Sequence, residues 1–428
     1  MYFPRNTPDK FSQTNLQGVL ASIDQFYSIT PDRDQKIRLH ESTIDSSSVK
    51  NLVSAILTGQ ITMGDLNLDY ENKFADISNS KYCLSCNSGS SANLLVIFSL
   101  LECGLLQKGD KVIVPALCWS TTVFPIIQAG LVPVFIDQDK LDFNIDLDLV
   151  EERCTAGNIK ALMIIHTYGC PVNMDRCMHI SSKFGLILIE DSCESMGAKW
   201  GGRPVGSFGV AGTFSTYYSH HICTLEGGLV VSSNDTILDT MKSLRSHGWL
   251  RHLPNGANIF NQFSSIDPAF MFGNVGFNIR LSEPQASMGI AQLDQLDNFV
   301  LKRRMNGHHY ESFFLEASNL IEVQNYSDDS YHSFFGFPIV FNECVGLDFV
   351  KSLRSYLSSQ QIETRPFLAG NFLRQPVMEK LNYESAHSLP VADRLQAYSL
   401  ALPCHQGISI DQVEFVSQNI INFARTAA

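Results

Sequence analysis

The sequence has no apolar run that approaches the roughly 20 residues needed to cross a bilayer. Its first residues, MYFPRNTPDKFSQ, contain no basic segment followed by an apolar one, so a secretory signal is not expected. Basic residues are the minority, because 31 Lys and Arg face 43 Asp and Glu and leave a formal net charge of -12. An acidic surface repels phosphate backbones, which argues against nucleic acid as a partner.

The chain also lacks a cysteine pattern typical of disulfides or of zinc. Eleven cysteines, an odd number, are scattered through 428 residues, as expected of reduced thiols in a cytoplasmic protein. Cys83 and Cys86 form a C-x-x-C motif that has no second pair at zinc-finger spacing. Buried structural cysteines are therefore favoured there, and no metal site is expected.

Short apolar runs are frequent between residues 51 and 300, where they alternate with helical periodicity. KVIVP from Lys111, VPVFI from Val132, ALMII from Ala161 and LILI from Leu186 are continuous, as in strands buried on both faces. This pattern predicts an α/β fold with a mostly parallel sheet covered by helices. Polar loops follow several of these runs, and ligands of open α/β sheets bind at the carboxyl ends of the strands.

The composition and periodicity of the rest of the chain predict an N-terminal arm and a smaller domain. Residues 1–50 are polar, with one helical stretch around Leu16–Tyr27, and predict an N-terminal arm. Residues 51–300 would form the large domain. Residues 301–428 predict a small C-terminal α+β domain, with a long helix, a strand at Ser333–Val340 and two further helices.

Three loops could hold a phosphorylated cofactor, although each has an ordinary structural interpretation. CNSGSSAN (residues 86–93) opens a helix, so the N–H groups of Gly89 and Ser90 would suit a phosphate, but a plain helix cap is equally consistent. Trp119 follows a strand and could lie against an aromatic ring or belong to the core. Asp191 closes a strand, where its carboxylate could pair with a protonated ring nitrogen or cap the next turn.

A fourth loop is the most informative. GTFSTYYSHHICTLEGG (residues 212–228) begins like a strand and then places hydroxyl groups and two adjacent imidazoles ahead of a Glu-Gly-Gly turn. Two adjacent histidines alone can be chance or surface polarity, so the dipeptide does not establish a function by itself.

In this order and spacing, the four loops resemble the sugar aminotransferase family (DegT/DnrJ/EryC type) of fold-type I pyridoxal-phosphate (PLP) enzymes. The resemblance runs from about Gly59 to the end of the chain. It includes GFNIRLSEPQASMGIAQL around Asn278, ETRPFLAGNF around Arg365 and LPCHQGIS near the C-terminus. It implies a fold-type I transferase, PLP as cofactor and a homodimer whose subunits share active sites.

The resemblance also implies how the chain holds its cofactor. Gly89 and Ser90 match the backbone cup for the cofactor phosphate. Trp119 matches the aromatic residue that stacks on the pyridine ring, and Asp191 matches the carboxylate at the ring nitrogen. This arrangement would keep the ring protonated and electron-withdrawing.

Further residues are carried over from the same motifs. Glu194 would lie near the ring, Ser215 would bind the phosphate through its hydroxyl, and Asn278 would reach the phosphate from the partner subunit. Three cationic side chains are hypotheses for contacts to a diphosphate-bearing substrate, with surface ion pairing as the alternative: His247, Arg251 and Arg365.

One position departs from the family. Ordinary members carry a lysine five residues after the Ser215 position, and this lysine forms the internal aldimine. Alignment of the Glu-Gly-Gly turn places His220 there, and no lysine occurs between Lys199 and Lys242. Imidazole cannot form a Schiff base, but its unperturbed pKa near 6.5 suits proton transfer. The change therefore removes covalent attachment of the cofactor and leaves a general base.

The motif SHH-I-x-T-x-EGG resembles nucleotide-activated 4-keto-6-deoxyhexose 3-dehydratases, which form two groups. One group needs a flavin reductase and a [2Fe–2S] cluster held by four cysteines; this chain has Cys193 but no cysteine between Cys223 and Cys344. The cluster-free group, which acts on GDP-4-keto-6-deoxymannose, matches better through RSHGWLRHLPNG, DSCESMGA and RPFLAGNF. A sugar-nucleotide aminotransferase and a non-catalytic cofactor-binding protein remain alternatives.

For such a dehydratase the resemblance implies a cycle between PLP and pyridoxamine phosphate. L-glutamate would supply the amino group, which then condenses with the C4 ketone of the sugar. His220 would remove a proton from the C4′ carbon of the cofactor, and the C3 hydroxyl would leave. Hydrolysis would release ammonia and a 3-deoxy-4-keto sugar. His221 would either assist His220 or only pack against its neighbours, and the sequence leaves both roles open.

Overall fold

A computed structural model describes residues 10–29, 36–251, 253, 263, 265–385 and 388–427. Its α-helices are α1 (Lys10–Ser28), α2 (Ser46–Leu57), α3 (Asp65–Ile77), α4 (Gly89–Glu102), α5 (Ser120–Gln128), α6 (Leu147–Thr155), α7 (Met174–Phe184), α8 (Asp235–Arg245), α9 (Glu283–Leu293), α10 (Leu296–Leu315), α11 (Phe349–Ser359), α12 (Pro390–Tyr398) and α13 (Ile410–Ala427). Within these residues no helix has the length and apolar character that spanning a membrane requires.

The strands form one large sheet and two small ones. They are β1 (Tyr82–Cys86), β2 (Lys111–Pro115), β3 (Val132–Ile136), β4 (Ile159–Ile165), β5 (Ile187–Asp191), β6 (Lys199–Trp200), β7 (Arg203–Pro204), β8 (Ala211–Ser215), β9 (Gly228–Ser232), β10 (Ile321–Val323), β11 (Ser330–Tyr331), β12 (Phe337–Phe341), β13 (Glu384–Ser385) and β14 (Ser399–Leu402). The large sheet has the order β1-β9-β8-β5-β4-β2-β3-β13, and the small sheets have the orders β10-β12-β14 and β11-β6-β7.

The large sheet confirms the predicted α/β fold. Strands β2, β3, β4, β5 and β13 pair in parallel, whereas β1 pairs antiparallel to β9. The continuous apolar runs are these parallel strands: KVIVP is β2, VPVFI is β3, ALMII lies within β4 and LILI overlaps β5. Most of their residues are buried on both faces, because helices alternate with strands along the chain.

Several helices begin where a polar side chain caps free N–H groups. The side chains of Asp45, Ser88, Asn173 and Asn234 accept hydrogen bonds from the third residue that follows each of them, and so start α2, α4, α7 and α8. Helix α7 ends at Gly185, whose φ of 64° suits glycine. Local sequence signals therefore set the points at which helices follow strands.

The chain groups into two compact units. Unit 1 comprises the described parts of Met1–Asp32, Ser42–Gln107 and Thr213–Gln295. Inside it, the Glu71 carboxylate accepts hydrogen bonds from Arg245 Nη1 (2.6 Å), Ser85 N (2.8 Å) and Ser85 Oγ (2.7 Å). Arg245 Nη1 also donates to Ser85 O at 2.8 Å, so α3, β1 and the end of α8 are joined by a buried ion pair.

Breaking this ion pair is expected to destabilise unit 1. The Glu71 and Arg245 side chains are only 11% and 7% exposed, so Arg245→Met leaves a carboxylate without its cation and should cost about 3–5 kcal/mol of unfolding free energy. Urea unfolding measures the loss. The control is the double variant Glu71→Gln with Arg245→Met, which should recover part of it; equal stability of Arg245→Met and wild type would contradict the expectation.

Unit 2 comprises the described parts of Arg33–Glu41, Lys108–Gly212 and Leu296–Ala428. One of its cores lies between β2–β5 and helices α6 and α7, and another is formed by α10, α11, α13 and the sheet β10-β12-β14. Ile37 joins the second core and forms a parallel bridge with Ile362. The division into an arm (1–50), a large domain (51–300) and a small domain (301–428) stays a prediction.

The predicted strand Ser333–Val340 is shorter in the structure, where β12 begins only at Phe337. The reason is that the backbone N–H groups before Phe337 donate their hydrogen bonds outside the sheet. Ser333 N donates to Gly169 O and Phe335 N to Tyr168 O, so this stretch pairs with a loop that follows β4. Three helices, α11, α12 and α13, follow it instead of the two expected.

Candidate active site

The start of α4 presents free backbone donors in unit 1. Ser88 caps the helix by accepting from Ser91 N at 3.1 Å, which leaves the N–H groups of Gly89 and Ser90 without an acceptor in the described part of the chain. The glycine at the start of β9 lets the two elements approach, since a Cβ on Gly228 would lie 2.3 Å from Ser88 O. The helix start thus has the chemistry to bind a phosphate.

The loop between β8 and β9 carries both adjacent imidazoles. Thr216 and Thr224 close its base through a 2.6 Å contact between their hydroxyl groups and a hydrogen bond from Thr224 N to Thr216 O. His220 lies in this closed loop, half-buried, with its N–H donating to Tyr217 O, whereas His221 is fully buried. The contacts between Thr216 and Thr224 therefore hold the loop that carries His220.

Ser215 ends β8 immediately before that loop. Its Oγ accepts from Tyr217 N at 3.3 Å, so the hydroxyl proton can be donated elsewhere. The side of the loop after the imidazoles is anchored by Gln292, whose Oε1 accepts from Cys223 N and whose Nε2 donates to Thr43 O and Ser48 Oγ. The predicted phosphate ligand Ser215 therefore lies directly before the closed loop that carries the predicted base His220.

The three remaining predicted residues of unit 1 lie on two paired segments. Asn278 forms a bridge with Ser246, and its Oδ1 accepts from Arg280 Nε at 3.2 Å. Arg280 Nη2 also lies 3.4 Å from His247 Nε2. The Arg251 guanidinium lies 3.7 Å from the centre of the Trp249 ring, a cation–π geometry.

His247 has a strained backbone that supports this arrangement. Its φ is 62°, which a residue other than glycine rarely adopts, and its N–H donates to Phe277 O at 2.6 Å. The next residue, Gly248, packs so closely that a Cβ would lie 1.8 Å from Asn274 O. His247 and Gly248 therefore lie in a tightly packed stretch of backbone.

Asp191 ends β5 in unit 2 and is almost fully buried. Its Oδ2 accepts from Thr122 Oγ1 at 2.8 Å, and its Oδ1 accepts from Cys193 N at 3.2 Å, so it also caps the following turn. Trp119 precedes α5 with its side chain 57% exposed, and the alternative of a core tryptophan is therefore wrong. An exposed indole can stack on a pyridinium ring, and a buried carboxylate can pair with its protonated nitrogen. Unit 2 offers both groups.

Glu194 and Arg365 form a charged pair in unit 2. Arg365 Nη2 lies 3.7 Å from Glu194 Oε1, and Tyr168 N donates to Glu194 Oε2 at 3.2 Å. Burial raises the pKa of Glu194 to about 7, although Arg365 acts in the opposite direction. This carboxyl group can therefore hold or release a proton near neutral pH.

Two residues of unit 2 that contact the predicted site were missed. Thr122 holds Asp191 from α5, and Tyr168 contacts both Glu194 and Arg365. Nothing in the sequence marked the Thr122 hydroxyl as a partner of a carboxylate 69 residues later. The roles assigned to all the site residues stay predictions.

Comparison with known proteins places the chain in a family. Residues 42–421 match the DegT/DnrJ/EryC1/StrS aminotransferase family, and the chain belongs to it.

Individual relatives are similar to this chain over most of its length. The chain is 36% identical over 388 residues to GDP-4-keto-6-deoxy-D-mannose 3-dehydratase of Escherichia coli O55:H7, covering 89% of this chain and 98% of the relative. The E. coli dehydratase solved with hydrated PLP is 35% identical, with a TM-score of 0.84 over 90% of this chain and 98% of that one. A dehydratase of the same name with a trapped PLP-glutamate geminal diamine is 34% identical, with a TM-score of 0.84 over 90% and 99% of the two chains.

Proposed function

We propose that this chain is a PLP-dependent 3-dehydratase of a nucleotide-linked 4-keto-6-deoxyhexose, with GDP-4-keto-6-deoxymannose as substrate and L-glutamate as amino donor. The feature that carries this proposal is His220, which lies in the closed β8–β9 loop at the position where the sequence resemblance expects the lysine of the family. Relatives at 35–36% identity that bear the dehydratase name support the substrate class.

The residues present fit PLP in each unit separately. Unit 1 offers phosphate donors at the start of α4, from Gly89 and Ser90, and the Ser215 hydroxyl. Unit 2 offers the exposed Trp119 ring and the buried Asp191 carboxylate. When bound, PLP supplies an aldehyde that exchanges amino groups and a ring that accepts electrons. Asp191 would keep the ring nitrogen protonated, with Thr122 fixing the carboxylate.

His220 would move the protons of the reaction. A lysine at this position would compete for the cofactor aldehyde, whereas an imidazole only accepts and donates protons. Because the loop is closed by Thr216 and Thr224, the imidazole needs little ordering before it acts. Glu194 would lie beside the ring as a second group that can exchange a proton near neutral pH.

One imidazole and two guanidinium groups would contact the anionic parts of the substrates. His247 and Arg251 lie on the packed segments of unit 1, and Arg365 lies beside Glu194 in unit 2. Guanidinium groups suit phosphates and carboxylates because they can donate two hydrogen bonds in parallel.

We also propose a cytoplasmic homodimer whose subunits share their active sites. Asn278 would reach the cofactor phosphate of the partner subunit. Large apolar side chains before it are exposed, which suits an interface: Phe270 by 63%, Phe272 by 55% and Val275 by 87%.

The test is incubation with PLP, L-glutamate and a panel of 4-keto-6-deoxy sugar nucleotides carrying GDP, CDP, UDP or dTDP. The expected result is a GDP-linked product lighter than its substrate by one oxygen atom, with one ammonia and one 2-oxoglutarate released per product. Omission of glutamate is the control and should abolish turnover. An amino sugar product would indicate an aminotransferase, and a requirement for iron and a reductase would indicate the cluster-dependent group.

A further inference from the structure

Tyr168 has a backbone conformation that is unusual for a large aromatic residue. Its φ and ψ are 55° and 19°, a left-handed conformation that a residue other than glycine rarely adopts. The neighbouring backbone enforces it, since Phe335 N donates to Tyr168 O at 2.8 Å and Ser333 N donates to Gly169 O at 3.0 Å. Strain of this kind persists where a surrounding structure requires it, often next to a functional site.

Three parts of Tyr168 contact the segment around the charged pair. Its backbone N–H donates to Glu194 Oε2 at 3.2 Å. Its ring centre lies 5.2 Å from the Arg365 guanidinium, which is within cation–π range. Its hydroxyl accepts from Leu368 N at 3.1 Å, three residues beyond Arg365. One strained residue therefore contacts both charged side chains through different groups.

We propose that Tyr168 is a positioning residue that holds the Arg365 guanidinium beside the Glu194 carboxyl group. These contacts account for the strain, because in this conformation the Tyr168 N–H donates to Glu194 while Tyr168 O accepts from Phe335 N. The inference rests on the proposed function only in that Glu194 would lie beside the cofactor ring.

The expected consequence concerns the proton on Glu194. The groups that face this carboxyl are Arg365, Asp191 and the Tyr168 N–H. Burial and Asp191 favour its protonated form, whereas Arg365 and the N–H favour its ionised form. If Arg365 moves away, the pKa of Glu194 should rise from about 7 to a higher value, and the carboxyl should stay protonated to higher pH.

A double-mutant cycle tests this role. The midpoint of Glu194 titration is followed by the infrared band of its protonated carboxyl, assigned by the loss of that band in Glu194→Gln. Arg365→Gln should raise the midpoint, and Tyr168→Leu should raise it in the same direction, by at least about threefold in proton affinity. In the Arg365→Gln background Tyr168→Leu should add nothing, because it acts through Arg365.

The control separates positioning from general packing. Phe341→Leu truncates a fully buried aromatic residue of the same unit that belongs to a different core cluster, and it should lower stability while leaving the midpoint unchanged. Two results would overturn the proposal. One is a Tyr168→Leu protein in which Glu194 titrates at the wild-type midpoint. The other is a Tyr168→Leu shift of that midpoint that is equally large in the wild-type and Arg365→Gln proteins. If Tyr168→Leu does not fold, Tyr168→Met replaces it in the same cycle. The titration needs no sugar nucleotide, so it stands even if dehydration is not observed.

Discussion

Replacing His220 with lysine is expected to fix PLP covalently to the protein and to stop dehydration. The closed β8–β9 loop would place the new amine where family members have theirs, and an amine condenses with the cofactor aldehyde. A covalently held aldehyde must be displaced before glutamate can react, and the imidazole that would transfer protons is gone. Absorbance spectra of the PLP-loaded protein and intact mass after borohydride reduction measure the new bond.

The matched control places a lysine elsewhere in the same loop. Tyr218 is 38% exposed, so Tyr218→Lys should be tolerated and should leave the cofactor reducible only in free form. If His220→Lys gave no adduct, His220 would not occupy the lysine position, and the assignment of the β8–β9 loop would be wrong.

The second large effect is expected for His220→Asn, which should retain the cofactor and lose dehydration. Asparagine is polar and smaller than histidine, so the loop should close as before through Thr216 and Thr224. It cannot take up a proton near neutral pH, and loss of a general base typically lowers kcat by about 10²–10⁴-fold. Rates come from the glutamate-dependent release of ammonia, and cofactor content comes from absorbance.

His309→Asn is the control for this variant. His309 lies at the surface, 3.1 Å from Glu414, and its replacement should leave both cofactor content and rate unchanged. Near-normal turnover of His220→Asn would remove His220 as the base and would favour Glu194, the other group proposed to exchange a proton.

The sheet and the motif-bearing loops could be predicted because their signals are local. Strands buried on both faces require continuous apolar residues, and this requirement made β2, β3, β4 and β5 visible in the sequence. Cofactor loops follow such strands for a geometric reason, since ligands bind at the carboxyl ends of the sheet. Asp191 at the end of β5 is an example.

The parts that escaped prediction depend on contacts between distant segments. Ser333–Phe335 has a strand-like composition, yet the N–H groups of Ser333 and Phe335 donate to Gly169 O and Tyr168 O. Strand β12 therefore begins only at Phe337. The positive φ of Tyr168 has no sequence signal, because an aromatic residue is a poor candidate for that conformation. The raised pKa of Glu194 likewise follows from burial, which one sequence does not display.

One measurement addresses most directly whether an imidazole has taken the place of the amine that tethers the cofactor. The wild-type protein is saturated with PLP, reduced with borohydride, denatured and weighed intact, with peptide mapping of any modified residue. We predict unmodified protein and a fully released cofactor. A pyridoxyl group attached to any lysine of the resting protein would contradict the account.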